Sequence, residues 1–326
     1  MPAGVCEAQK EPCAEYLSVQ VLPVVERKSS LCVFHLTDLH VGQGLNTRDY
    51  GSPGWADSLS HTKGGYAAER LQKVVRRVNA CVHRCPKSLV LISGDLTDSG
   101  EPSEFQHVRE ILDSLQAPWV PLLGNHDVWP YIRFGDEATG PMGDSILNVI
   151  FEYQFRKLAR LFPFHEDQRH TFCQDGHSGH RVRLHNYSFT VEGRRFVCLD
   201  FNPRYHTKLS EPGIGPEAWL HPQPCGTWAF LSRQLEQAWK AGQRVTLVSH
   251  HPPLTLRLGK KQYAFTPTQR RQLLTLLRRY KGTVDSWLCG HFHRSARYRL
   301  PGTGIRVYET RANICSKNGV MRILKM

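Results

Sequence analysis

The chain has 326 residues, 40% of them hydrophobic, and 42 Lys and Arg against 29 Asp and Glu, a formal net charge of +13. That length suits one elaborated α/β domain with a large core, and no apolar run reaches the length of a membrane-spanning helix. The basic balance, with a pI near 9.4, favours anionic substrates or surfaces and says nothing about the fold.

Residues 1–30 read as an N-terminal extension. Tyr16 to Val25 is broken by Ser18, Gln20 and Pro23 and preceded by Glu11 and Glu15, so a cleaved secretory leader is not expected. Residues 31–326 read as a single domain. Its first apolar run, 31–37, leads into Asp38-x-His40. An insertion at about 41–64 follows, with five glycines and the polar cluster from Asn46 to Tyr50. A loop of that length is more often functional than not, which makes Arg48, Tyr50 and His61 candidate substrate contacts.

A helix is predicted at 65–84, a strand at 88–93 ending in Gly94-Asp95, a helix at 104–115 with Pro102 near its start, and a strand at 119–123 ending in Gly124-Asn125-His126-Asp127. A second insertion, about 128–185, contains a helical pattern at 145–161 and a polar stretch with His165, His170, His177, His180 and His185. The irregular spacing of these histidines reads as loop chemistry. The segment is expected to be a cap that shapes a pocket or mediates homodimerisation, with Trp129 and Tyr131 packing in it or stacking on a flat leaving group. The loop 202–224, with Arg204, Tyr205 and His206, is expected across the same mouth.

A strand at 196–200, a helix at 227–241 and a strand at 244–249 ending in His250 come next. Leu273, Leu274, Leu276 and Leu277 mark an amphipathic helix at 266–280 with arginines on its outer face. A strand at 284–289 leads into Gly290-His291-x-His293, and short strands return over 294–326 with turns at Pro301-Gly302 and Asn318-Gly319. Strands alternating with helices argue a layered α/β sandwich.

Five short polar motifs thus follow five apolar runs of the kind buried on both faces. In open α/β folds that strand edge is where ligands bind. Asp38 with His40, and His291 with His293, lie two apart and on extended backbone would point the same way. Gly94, Gly124 and Gly290 each precede a candidate ligand, as a tight turn or close backbone approach requires. Carboxylate, imidazole and amide donors without thiolate suit Mn, Fe or Zn.

In this ordered set the chain resembles the calcineurin-like metallophosphoesterases, over residues 38–293. The resemblance implies a layered α/β/β/α sandwich with a cap-like insertion and two divalent or mixed-valence transition metals. Asp38, His40, Asp95 and His293 would bind one metal, and Asn125, His250 and His291 the other, with Asp95 bridging. His250 is preferred to His251 because the family's ligand stands two residues before a proline, here Pro252. A metal-bridging hydroxide would attack a small anionic phosphoester in line, His126 would assist the leaving group, and Asp127 would fix the tautomer of a nearby histidine.

Departures narrow the substrate. Ser99 stands where serine/threonine phosphatases of this superfamily carry a phosphate-gripping arginine, and the third motif ends in Asp127 rather than Glu. His126 stands where the UDP-diacylglucosamine pyrophosphohydrolases usually have arginine. Gly-Asp-Leu-Thr-Asp, Gly-Asn-His-Asp and His250-His251-Pro252-Pro253 look closest to the cyclic-nucleotide and glycerophosphodiester phosphodiesterase branch. A nuclease with nucleic acid in a basic groove and a nucleotide-sugar or lipid pyrophosphohydrolase are the alternatives. A non-enzymatic scaffold ranks below them because every ligand is retained.

The ten cysteines are scattered, with Cys32, Cys198 and Cys289 in strand-like runs. Reduced buried thiols and a cytoplasmic setting are the expectation. Cys81 and Cys85 lack the second pair that a structural zinc would need.

Overall fold

The computed structural model describes residues 31–42, 65–98, 100–128, 143–174, 181–204, 218–254 and 264–326. Two sheets face each other across one core. In the first, β1 (Cys32–Leu36), β2 (Ser88–Ser93) and β3 (Trp119–Leu122) run parallel, and β13 (Arg322–Lys325) closes the edge antiparallel to β1. The second has the order β11 (Ala296–Arg299), β12 (Arg306–Glu309), β10 (Val284–Cys289), β9 (Arg244–Ser249), β8 (Arg194–Leu199), β7 (Tyr187–Val191) and β4 (Phe164–Asp167). Its central strands β8, β9, β10 and β12 are parallel. A separate hairpin pairs β5 (Phe172–Gln174) with β6 (Arg181–Arg183).

Five described helices cover the outer faces. The helices α1 (Gly65–Val82), α2 (Pro102–Leu112) and α3 (Gly143–Leu161) share one cluster with both sheets, including Phe34, Val90, Trp119, Phe151, Phe155, Phe189 and Phe196. The other two, α4 (Thr227–Lys240) and α5 (Pro267–Arg279), pack with Val197, Leu199, Leu247 and Trp287 on the far face of the second sheet. In β8, Phe196 and Cys198 enter one cluster while Val197 and Leu199 enter the other. Burial on both faces is why such strands read as uninterrupted apolar runs. The layers are α/β/β/α, as the family resemblance implies.

Helix starts follow local chemistry. Glu101 and Glu104 form a capping box at α2, with Pro102 in the first turn. Thr266 caps α5 by accepting from Gln269 N, and Pro267 supplies a pre-set first turn.

Two expectations change. The helix in the second insertion does not stand off as a cap: Phe151, Phe155 and Leu158 of α3 lie in the core, and Gln154 Nε2 donates to Trp119 O of β3. The same insertion also supplies β4, which extends the large sheet antiparallel to β7, so among its described strands the β5–β6 hairpin alone lies outside the two sheets. The thiols are also not all free. Cys173 of β5 is bonded to Cys225, just ahead of α4, with the Cα atoms 5.7 Å apart, whereas Cys32, Cys198 and Cys289 are free and buried. Residues 1–30, Arg48, Tyr50, His61, Trp129, Tyr131, His177, His180, Tyr205 and His206 lie outside the described residues.

The disulfide closes a separation of 52 residues and ties the hairpin to the start of α4. Removing it with Cys173→Ser/Cys225→Ser should lower the free energy of unfolding by about 2–4 kcal/mol. Urea denaturation of the oxidised and double-variant proteins measures this, and equal midpoints would show that the bond contributes nothing.

Candidate metal centre

The C-terminal ends of β1, β2 and β3 in one sheet, and of β9 and β10 in the other, converge on one point between the layers. The chain turns sharply after β1, β2 and β10. Asp38, His40, Asp95, His291 and His293 all have positive φ, at 52°, 45°, 51°, 72° and 54°. The pairs 38/40 and 291/293 therefore do not share a direction through extended backbone, as period-two reasoning expects. Left-handed residues fold the chain back so that neighbouring side chains converge, a conformation that costs on the order of 1 kcal/mol per non-glycine residue.

Main-chain bonds hold those turns. Asp38 N donates to Gly94 O at 3.0 Å, and Asp95 O accepts from both Leu39 N (2.7 Å) and His40 N (3.0 Å). A Cβ on Gly124 would collide with Asp95, and one on Gly290 with Thr37 and Asp38. Gly94, at φ 92°, would press a Cβ against Gly124 at 2.7 Å. The three glycines permit the close approach that their positions suggest.

Two groups of donor atoms result. In the first, His40 Nε2 is 3.1 Å from His293 Nε2, His293 Nε2 is 3.2 Å from Asp38 Oδ1, and His40 Nε2 is 3.5 Å from Asp95 Oδ2. In the second, Asn125 Oδ1 is 3.1 Å from His250 Nε2 and 3.0 Å from His291 Nδ1, and His250 Nε2 is 3.2 Å from Asp95 Oδ2. The single oxygen Asp95 Oδ2 stands beside both. Donors held at 2.0–2.2 Å around a tetrahedral ion are roughly 3.3–3.6 Å apart, so these spacings fit ions with little rearrangement.

Buried carboxylates reinforce that fit. Asp38 and Asp95 are both buried, and among the described residues their ion-pair partners are histidines, with no Lys or Arg. Burial alone would raise Asp95, yet His250, His126 and His40 hold it well below the usual carboxylate range. Against the same burial, Asp95 pushes His250 up to about 9, and Asp38 pushes His293 well above its ordinary value. Protons and a metal cation thus compete for the same nitrogens.

Outer partners fix the rings. His250 Nδ1 donates to Ser93 O at 2.8 Å, which turns Nε2 inward. His251 is also buried, but its ring packs 4.4 Å from that of His291 and its nitrogens have no hydrogen-bond partner among the described residues. Asp38 Oδ2 accepts from Thr37 Oγ1 at 2.7 Å. His40 Nδ1 lies 3.1 Å from Asp98 Oδ1, and His126 Nδ1 donates to Asp98 O at 2.7 Å. The His126 ring stands 4.5 Å from that of His40.

Asp127 does not take the orienting role expected of it. Its carboxylate accepts from Gly124 N, Leu96 N, Thr97 N and Thr97 Oγ1, which joins the loops after β2 and β3. Those four donors offset burial and the nearby Asp95, which push it up to about 6. The carboxylate beside the rings is Asp98, three residues after Asp95. Its place in Gly-Asp-Leu-Thr-Asp was the available signal.

Comparison with known proteins is consistent with this geometry. The calcineurin-like phosphoesterase family profile matches residues 32–295. The chain is 28% identical over 221 residues to glycerophosphodiester phosphodiesterase GpdQ of Enterobacter lignolyticus, covering 68% of this chain and 60% of that one. It is 21% identical over 206 residues to a probable glycerophosphodiester phosphodiesterase of Arcobacter nitrofigilis, covering 63% and 56%. The chain therefore spans somewhat under two thirds of the length of these relatives. Among solved structures, a dimetal phosphatase from Danio rerio aligns with TM-score 0.53 at 14% identity, covering 92% and 93% of the two chains. A purple acid phosphatase from yellow lupin seeds aligns at 0.50 and 13%, covering 92% and 46%. On the family match, the strand-end motifs and the shared fold, the chain belongs to the calcineurin-like phosphoesterase family.

Proposed function

We propose that the protein is a binuclear metal-dependent phosphodiesterase acting on an anionic phosphodiester. Asp38, His40, Asp95 and His293 would hold one ion, and Asn125, His250, His291 and Asp95 the other. The observation that carries this reading is Asp95 Oδ2, which stands 3.5 Å from His40 Nε2 and 3.2 Å from His250 Nε2. Two divalent transition ions, Mn, Fe or Zn, would supply Lewis acidity toward the phosphoryl oxygens and a water activated near neutral pH.

The protein's own groups supply the rest. His126 donates Nδ1–H to the Asp98 carbonyl, so Nε2 is the nitrogen turned toward substrate, and in the imidazolium form it would give its proton to the leaving oxygen and become the bare nitrogen of a neutral ring. Its ring is only partly buried, which leaves it open to substrate. Asp98 accepts from His40 and steadies that ring. A diester is preferred to a monoester because the curated relatives are named glycerophosphodiester phosphodiesterases and because serine replaces the phosphatase arginine at position 99. The cytoplasmic expectation rested on free thiols; Cys173 and Cys225 are bonded while six described cysteines are free, so thiol state does not carry it.

Bis(p-nitrophenyl) phosphate with added Mn(II) tests the assignment. Asp95→Asn should lose at least one bound metal and lower kcat/KM by about a thousandfold or more. His126→Ala should keep both metals and lower kcat by roughly 10²–10⁴-fold. Full activity in both folded variants, or turnover of p-nitrophenyl phosphate alone, would overturn the reading.

Metal binding should also depend on pH in a definite direction. With His250 at about 9 in the metal-free protein, its nitrogen is protonated below that pH and must lose a proton to bind. Mn(II) affinity should rise as pH increases from 6 to 9. Titration calorimetry in buffers of different ionisation enthalpy reads the released proton; pH-independent affinity with no release would contradict it.

A further inference from the structure

The charge of this chain is unevenly placed. Residues 294–326 contain six arginines and two lysines against one side-chain carboxylate, Glu309, a net of +7 within a chain total of +13. Glu309 is engaged by Arg294, at 2.6 and 3.0 Å. Arg322 donates to Ser295 Oγ, Thr310 Oγ1 and the Glu309 carbonyl, all neutral acceptors. Among the described residues, Arg297, Arg299, Arg306 and Arg311 have no carboxylate partner.

The strands line these cations up. Arg299 lies directly opposite Arg306 in the β11–β12 register, and Arg297 lies opposite Tyr308. Like charges in direct opposition destabilise a sheet, and here no carboxylate relieves them. Arg297 and Arg299 share one face of the edge strand, roughly 7 Å apart. The guanidinium groups of Arg297 and Arg322 both sit over the Tyr308 ring, at 5.7 and 5.9 Å. β11 begins three residues after His293, and Arg311 follows Thr310, whose N–H donates to Cys289 O at the end of β10. The cationic line therefore starts at the rim of the metal centre and follows the sheet edge away from it.

We propose that the β11–β12 edge, with Arg322 of β13, binds the phosphodiester backbone of a single-stranded nucleic acid and presents it to the metal centre. The hydrolytic half of this proposal rests on the phosphodiesterase reading above; the binding half does not. Guanidinium groups grip phosphates bidentately, and a linear array suits a linear anion. An anionic membrane is the less favoured partner, because the described exposed large hydrophobics, Val149, Tyr153, Leu161, Phe172 and Trp239, lie on α3, β5 and α4 and not beside these arginines.

The test uses full-length protein in EDTA and fluorescence anisotropy of a labelled single-stranded DNA 20-mer between 50 and 300 mM salt. Arg297→Gln/Arg299→Gln/Arg306→Gln should bind at least about tenfold more weakly at 100 mM salt. Its slope of log affinity against log salt should be shallower by about 2, from three lost phosphate contacts at about 0.7 each. A control with three exposed cations elsewhere, Arg76→Gln/Arg84→Gln/Arg160→Gln, should change neither quantity. Equal losses in both variants would mean bulk charge and overturn the proposal, as would no binding by wild type at 50 mM salt. Binding to phosphatidylglycerol vesicles but not to DNA would overturn it in favour of a membrane. If DNA binds as described while bis(p-nitrophenyl) phosphate is not turned over by metal-loaded protein, the surface stands and the catalytic reading fails.

Discussion

One carboxylate joins the two sheets. Asp95 leaves β2 of the smaller sheet, faces His250 from β9 of the larger one, and offers the same oxygen toward His40 at the end of β1. Its main-chain carbonyl accepts from Leu39 and His40, and its second carboxylate oxygen accepts from His126 N at 2.9 Å. Backbone and side chain of a single residue thus fix the loops after β1 and β3. Gly124 has no side chain because Asp95 occupies the space.

The same arrangement is costly to fold. Asp38 and Asp95 are buried with no Lys or Arg partner among the described residues, and five donor residues hold left-handed backbone. Desolvation of ionised groups and strained φ both favour the unfolded chain. The surrounding apolar layers offset this: Trp119, Phe151, Phe155 and Tyr187 interlock across the first core, and Tyr187 donates from β7 to Pro121 O on β3 at 2.6 Å. Rigid layers therefore hold a strained, closely packed set of donor groups in place.

Much of this was legible in the sequence because parallel strands buried on both faces show as apolar runs, and the polar residues that end them are conspicuous. The five motifs and five of the helices come from that contrast. What could not be read follows from side-chain direction. Spacing of two implies a shared direction only on extended backbone, and nothing local to Asp38-x-His40 announces a left-handed turn. Asp98 and Asp127 are equally plausible ring partners by spacing, and the fold alone places Asp98 beside His40 while Asp127 faces amide groups. The α3 helix carried a buried stripe at Leu147, Phe151, Phe155 and Leu158 that marks a core element, although its place within an insertion suggested a cap. The Cys173–Cys225 pair has no sequence signature, since the contact depends on where the hairpin lands.

Asp98 serves two histidines from one position, its carboxylate on His40 and its carbonyl on His126. A ring in the donor cluster and the ring proposed to deliver a proton are therefore polarised by the same residue. A cation drawing electron density from His40 would pull the Asp98 carboxylate toward that ring and weaken the field at His126. Under the binuclear reading proposed above, filling the site beside His40 and setting the acidity of His126 would be linked through Asp98, so a half-filled protein would differ from a full one in its proton donor as well as in its count of ions.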